Sequence, residues 1–174
     1  MLTQLPPSLE RPLSLARVDF APAHRQPSAV RVIAATVASL VGSLAADAIL
    51  VVIGTAIFPA TTHYVHFRFS DYAKLTIIGV LIACVAWPVV TRISSSPRWL
   101  FFRLAIAVTL FLLLPDLYLL YRGQSARAVA ILMVMHLAIA LVTYNCLVHI
   151  AKVATPAVTS RAASSRAASS RADI

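Results

Sequence analysis

The chain has 174 residues, of which 60% are hydrophobic and 12% charged, with 13 Arg, 2 Lys and 6 acids for a net charge of +9. Soluble domains carry about a quarter charged and about half apolar residues, and a chain this short cannot hide such an apolar excess in one core. The balance excludes an ordinary soluble domain. Because the arginines gather at the ends of apolar stretches, it also points away from nucleic acid and toward a lipid bilayer as the partner.

Residues 1–28 hold Pro6, Pro7, Pro12, Pro22 and Pro27 with three arginines and no sustained apolar run. Proline at that density blocks helix continuation, so the segment reads as a disordered basic arm. An apolar core followed by a small-residue cleavage site is missing from it, so it does not read as a signal peptide.

The first spanning helix is predicted at about 30–58, ending at Pro59, and exceeds the 20 or so residues a bilayer requires. Ala35, Ser39 and Ser43 recur at four-residue spacing, with Gly42 and Ala46 beside them. Small residues so placed allow close helix approach, within the bundle or between protomers. Asp47 follows on the same helix, about 24 Å above Arg31 at the helical rise.

A second helix is expected at 72–91, bent or ended by Pro88. In the loop before it, His63 and His66 lie three apart near Asp71. With no fixed third ligand they read as solvated loop residues rather than a metal site. Cys84 and Cys146 each sit in an apolar run without CxxC or Cys/His spacing, so they read as small buried hydrophobes.

The third helix is predicted at 99–121. Its stretch Leu104–Leu114 has only Thr109 among polar residues, whereas a soluble helix needs a polar face. Asp116, after Pro115, lies about 25 Å above Trp99. The fourth helix is predicted at 126–151, with His136 near its middle and Asn145 nearer the end that leads to the C-terminus. His136 and His149 are 13 apart, about 140° around the helix, and do not share a face for one haem. No cofactor or metal is called for. Nor is there a nucleophile elbow, Walker loop or HExxH motif, so no enzyme is expected.

Residues 153–174 carry the repeat Ser160-Arg-Ala-Ala-Ser164, Ser165-Arg-Ala-Ala-Ser169. Its five-residue period fits neither helix nor strand, and it reads as a disordered basic tail near lipid headgroups. With the N-terminus inside, eleven Lys and Arg fall on the cytoplasmic side and four on the other. That bias predicts a multi-pass protein of the cytoplasmic membrane with both termini inside. Tyr72, Trp99, Tyr118 and Tyr121 sit at segment ends, as an aromatic belt requires.

Fold class is therefore all-α, four transmembrane helices in an antiparallel bundle spanning 29–152. Asp47, Asp116 and His136 fall near the midplane or in the outer half, and Arg122 and Arg127 can lean toward the aspartates. A carboxylate beside an imidazole suits a proton relay or a cation site. The same groups, with Asn145, can instead pin the helices by interhelical hydrogen bonds, and the sequence favours that structural reading.

The fourth segment, Ile131-Leu-Met-Val-Met-His136-Leu-Ala-Ile-Ala-Leu, resembles the Met-His-Leu helix of domain-of-unknown-function family 6069. The Ala-rich run to Asp47 and the basic hairpin Ser94–Arg98 also resemble features of that family. The resemblance covers about Arg31 to Ala151. It implies a short actinobacterial membrane protein with four helices and no assigned activity. Family members often carry an amide in the first helix where this chain has Asp47.

Two functions compete. The sequence favours an accessory or structural subunit, acting by helix–helix association as a homo-oligomer or within a larger membrane complex. The alternative is a small proton-coupled transporter using Asp47 with Asp116 or His136, for which four-helix multidrug exporters offer a fold-level analogy. A lipid-directed enzyme has no nucleophile or metal set behind it.

Overall fold

The computed structural model describes residues 24–153, and all of its long elements are helices. Helix α1 spans Ala29–Ile57, α2 Phe69–Ile93, α3 Pro97–Tyr121 and α4 Ala126–Ile150. Each is long and apolar enough to cross a membrane, and they pack together. The chain is a multi-pass membrane protein. Residues 1–23 and the serine–arginine repeat of the tail lie outside the described residues.

Local chemistry sets the helix ends. Ser28 caps α1, its Oγ accepting from Arg31 N at 3.4 Å. At 29 residues, α1 is about 43 Å long, well beyond a hydrocarbon core of about 30 Å. Two short 3-10 turns, Pro59–Thr61 and Val65–Phe67, follow it. Helix α2 starts at Phe69, three residues before its predicted start, and so takes Asp71 into its first turn, where the helix dipole favours an acid. It also runs through Pro88 to Ile93. The proline costs the Cys84 carbonyl its usual donor. Breaking the helix would strand several backbone groups at membrane depth, so continuing is cheaper.

Pro97 opens α3 at its first turn, where a missing N–H costs nothing. Gly123, at φ 79°, makes the turn into α4, with Gly123 N donating to Leu120 O and Gln124 N to Leu119 O. Left-handed backbone there favours glycine.

Helix α1 packs most extensively on α4, and it also packs on α2; α3 leans chiefly on α4. Two apolar clusters fill the bundle. One, at the end near residue 28 (the arm end), gathers Val80, Cys84, Trp87, Val90, Phe101 and Leu147. The other, below the Pro59–Arg68 segment (the loop end), gathers Phe67, Tyr72, Ala73, Ala128, Ile131 and Met135.

At the arm end, Trp87 Nε1 donates to Ala151 O at 3.0 Å, closing the last turn of α4. Composition gives residues 24–28 no contact, yet they lie across the end of α2. His24 Nε2 sits 2.6 Å and Gln26 Nε2 2.9 Å from Thr91 O, while Thr91 Oγ1 donates to Gln26 Oε1 at 2.7 Å. The arm thus satisfies one of the helix-end carbonyls that α2 cannot satisfy itself.

Candidate functional site

The buried face of α1 reads Ala35, Ser39, Ser43, Asp47 and Gly54, a near four-residue period that lays one stripe along the helix. Small residues fill most of it because α4 comes very close. A methyl group on Gly42 would stand 2.9 Å from Val142 Cγ1, and one on Gly54 2.5 Å from Ile131 Cδ1. Ser43 Oγ lies 3.4 Å from Thr143 Oγ1 across the same seam, and Ser39 is buried in it beside Cys84. Ser39, Gly42 and Ser43 therefore serve contacts inside the bundle.

Asp47 interrupts this stripe with a carboxyl group that is 0% exposed. Thr76 on α2 donates its Oγ1 to Asp47 Oδ2 at 2.6 Å, and Oδ1 has no hydrogen-bond partner. A buried acceptor left so costs about 1–3 kcal/mol, more if charged. Asp116 on α3 is 4% exposed, and its Oδ2 lies 2.9 Å from His136 Nδ1 on α4. That nitrogen is also 3.1 Å from the Leu132 carbonyl. Two acceptors around Nδ1 place a ring hydrogen on that nitrogen. The Asp116 oxygen makes no well-directed hydrogen bond to it, so the two groups are close without being tightly bonded.

His136 is also within electrostatic reach of Asp47, so a single imidazole is coupled to two buried acids. Tyr72 lies within electrostatic reach of Asp47, and Tyr64 and His66 of the loop-end segment within that of Asp116. Burial, and secondly the Asp116 carboxylate, push the Tyr64 phenol above its usual range, which keeps it an O–H donor. Its hydroxyl is buried without a hydrogen-bond partner. Above it, Thr62, His63, Tyr64, Phe67 and Arg68 line a cavity of about 230 Å³.

The structure brings together Asp47, Asp116 and His136, three of the four intramembrane residues the sequence singles out. Asn145 is not with them. It is exposed on α4 and donates back to Leu141 O at 2.7 Å on its own helix. Arg127 also departs from expectation: its guanidinium lies over the Phe58 ring at 5.4 Å, and among the described residues neither Arg122 nor Arg127 pairs with an aspartate. His63, His66 and Asp71 do not converge, and no trio of His, Cys, Asp or Glu among the described residues could share a metal. Sequence reasoning missed Thr76 and Tyr64. Thr76 had a signal: with Tyr72, Val80, Cys84 and Trp87 it lies on the buried stripe of α2, and it is the hydroxyl at the depth of Asp47.

A family model described as a family of unknown function, DUF6069, matches residues 19–153. No curated protein matches the chain. Nor does any solved structure.

Proposed function

The chain belongs to domain-of-unknown-function family 6069, whose description assigns no activity, and from the geometry of its bundle we propose that it is a small proton-coupled transporter. The observation that carries this reading is Asp47, wholly buried with one oxygen unmatched and within electrostatic reach of the His136 that contacts Asp116. An isolated carboxylate at bilayer depth is expensive, and taking up a proton relieves the cost. A proton on His136 strengthens its hold on Asp116 across α3 and α4. A proton on Asp47 removes the charge between α1, α2 and α4. Moving one proton between these sites therefore changes which helices attract each other, the coupling that a proton-driven carrier needs.

We place the protein in the cell membrane with the arm end cytoplasmic. Among the described residues that end carries Arg25, Arg31, Arg92, Arg98, Arg103 and Lys152, while Asp47, Asp71 and Asp116 lie toward the other.

The test is proton flux into liposomes containing the purified chain, read by an entrapped pH-sensitive dye under an imposed gradient. Asp47→Asn should lower flux at least tenfold with melting temperature and assembly unchanged. Flux equal to that of the unsubstituted chain would refute the reading.

The accessory reading, which the sequence favours, loses one support because the Ser39–Ser43 stripe is used within the bundle. A different observation keeps it second. Helix α3 leaves Phe102, Ile106 and Leu110 exposed, beside a groove of about 280 Å³ between α3 and α4. A partner helix fits such a face. Purification in mild detergent with mass spectrometry of bound proteins tests it, since a stoichiometric partner would favour association over transport.

A further inference from the structure

Helices α3 and α4 touch near both ends of their shared face and part between them. Toward the arm end the rings of Phe102 and Tyr144 meet edge-on, with centroids 5.6 Å apart. Toward the loop end Asp116 Oδ2 stands 2.9 Å from His136 Nδ1. Between these contacts lies the groove of about 280 Å³, walled by Ala105, Thr109 and Leu113 of α3 and by Leu137, Ala140 and Leu141 of α4. Small alanines on both walls leave the gap. Thr109 Oγ1 is turned back on Ala105 O at 2.7 Å, so the wall is almost wholly apolar. Leu137 and Leu141 are exposed along it, and the groove therefore opens sideways onto lipid.

Its depth is that of one leaflet. The run from Phe102 to Leu113 rises about 17 Å along α3, against a hydrocarbon core about 30 Å thick. One acyl chain fills such a length, whereas a spanning helix needs about twice as much. At the arm-end mouth the chemistry changes. Arg98 stands four residues and Trp99 three before Phe102, which puts both on the groove's face one turn nearer the arm end. Arg103 folds back to the same level, its guanidinium lying 4.0 Å over the Trp99 ring. Tryptophan at the end of a spanning helix marks the headgroup layer. Among the described residues the arm end carries six Lys and Arg, these two arginines included, and no acid. Basic pockets between membrane helices hold anionic headgroups, and the guanidinium fork matches a phosphate.

We propose that the groove seats a single anionic phospholipid of the arm-end leaflet, with one acyl chain lying between α3 and α4 and the phosphate held by Arg98 and Arg103. The acyl chain supplies the apolar contacts that Ala105 and Ala140 leave unmade. The headgroup neutralises two arginines for which the described residues of that end offer no acid. Seated there, the lipid ties α3 to α4 across the gap between their two direct contacts. The site involves no proton movement, so it stands whether or not the chain carries protons. It competes with a partner helix for the same face of the bundle.

The test is native mass spectrometry of the full chain in mild detergent, offered phosphatidylglycerol and phosphatidylcholine with identical acyl chains. One phosphatidylglycerol should stay bound per chain, in at least tenfold preference to phosphatidylcholine. Arg98→Gln with Arg103→Gln should bring the two lipids close to parity. Arg25→Gln with Arg31→Gln takes the same charge from the same end but away from the groove, and should leave the preference in place. Ala140→Phe fills the groove and should lose the bound lipid with helical content unchanged; Ala105→Phe fills it from the opposite wall and serves if the first variant does not fold. Equal retention of the two lipids by the unsubstituted chain would overturn the site. So would a preference lost alike in both arginine pairs, or phosphatidylglycerol retained in the filled variants. A second copy or another protein held in place of lipid, and released by Ala140→Phe, would give the groove to a helix and overturn it too.

Discussion

Thr76 shows how one hydroxyl can decide the character of a buried acid. Threonine in a membrane helix usually donates back to the carbonyl four residues earlier, as Thr36, Thr55 and Thr109 do here to Val32, Val51 and Ala105. Thr76 donates across to Asp47 instead. Thr76→Val preserves shape and leaves both Asp47 oxygens without a donor, so thermal unfolding in detergent should show a loss of about 1–3 kcal/mol, with Thr76→Ser retaining most of the stability. Tyr64 gives a prediction in pH. Its phenol titrates above the ordinary 10.0 in the folded chain, so the folded state holds its proton where the opened loop has lost it. Stability of the closed loop is complete below pH 10.0 and falls as pH rises through the folded value. Phenolate absorbance should appear later in the folded chain than in the denatured one, with hydrogen exchange of residues 59–68 rising over the same window. At this scale the sequence was legible only in part. Asp47, Asp116 and His136 stand out because ionisable groups are rare in apolar windows. Asn145 stands out for the same reason, but it lies apart from the other three, its amide donating back on its own helix. Thr76 is legible as a buried-stripe hydroxyl at the depth of Asp47, but its choice of Asp47 over its own helix is not, since self-satisfied and cross-bonding threonines look alike in one sequence.

At the scale of elements, length and apolarity place four helices to within three residues, because backbone groups in lipid must be satisfied internally and long helices do that. The exceptions were the start of α2, where Phe69-Ser70-Asp71 reads as loop, and Pro88, which a membrane helix tolerates. Which glycines are contacts depends on distant partners that spacing on one helix does not name. Gly42 belongs to a visible stripe, whereas the tighter approach is at Gly54, against Ile131. Gly54→Ala puts a methyl 2.5 Å from Ile131 Cδ1 and 2.9 Å from its Cγ1, so rotating the far end of that side chain does not clear it. It should cost about 1–3 kcal/mol. Ile131→Ala in the same chain should return part of that loss, a coupling a double-mutant cycle measures. Gly79 is the control: nothing lies within 4 Å of a methyl placed there, and Gly79→Ala should hold or raise the melting temperature, since alanine is the better helix former by about 1 kcal/mol.

For the whole molecule, the two ends of the bundle are held by different means. The loop end is closed by its own 3-10 turns and the Phe67–Tyr72 cluster. The arm end is closed by residues far apart in sequence: His24 and Gln26 reach Thr91, and Trp87 reaches the Ala151 carbonyl. Gln26→Ala removes two of these hydrogen bonds and should cost about 1–2 kcal/mol, speeding amide exchange at residues 91–96 while residues 59–68 exchange as before. The arm contact also sets an order on biogenesis. Residues 24–28 leave the ribosome well before Thr91, and the carbonyl of Ala151 emerges last of all. A nascent chain can insert its first helix, and even its first hairpin, with the arm end still unzipped. Its final closure therefore reports that all four crossings have been made, and a chain stalled before residue 151 would present an open arm end to whatever inspects unfinished membrane proteins.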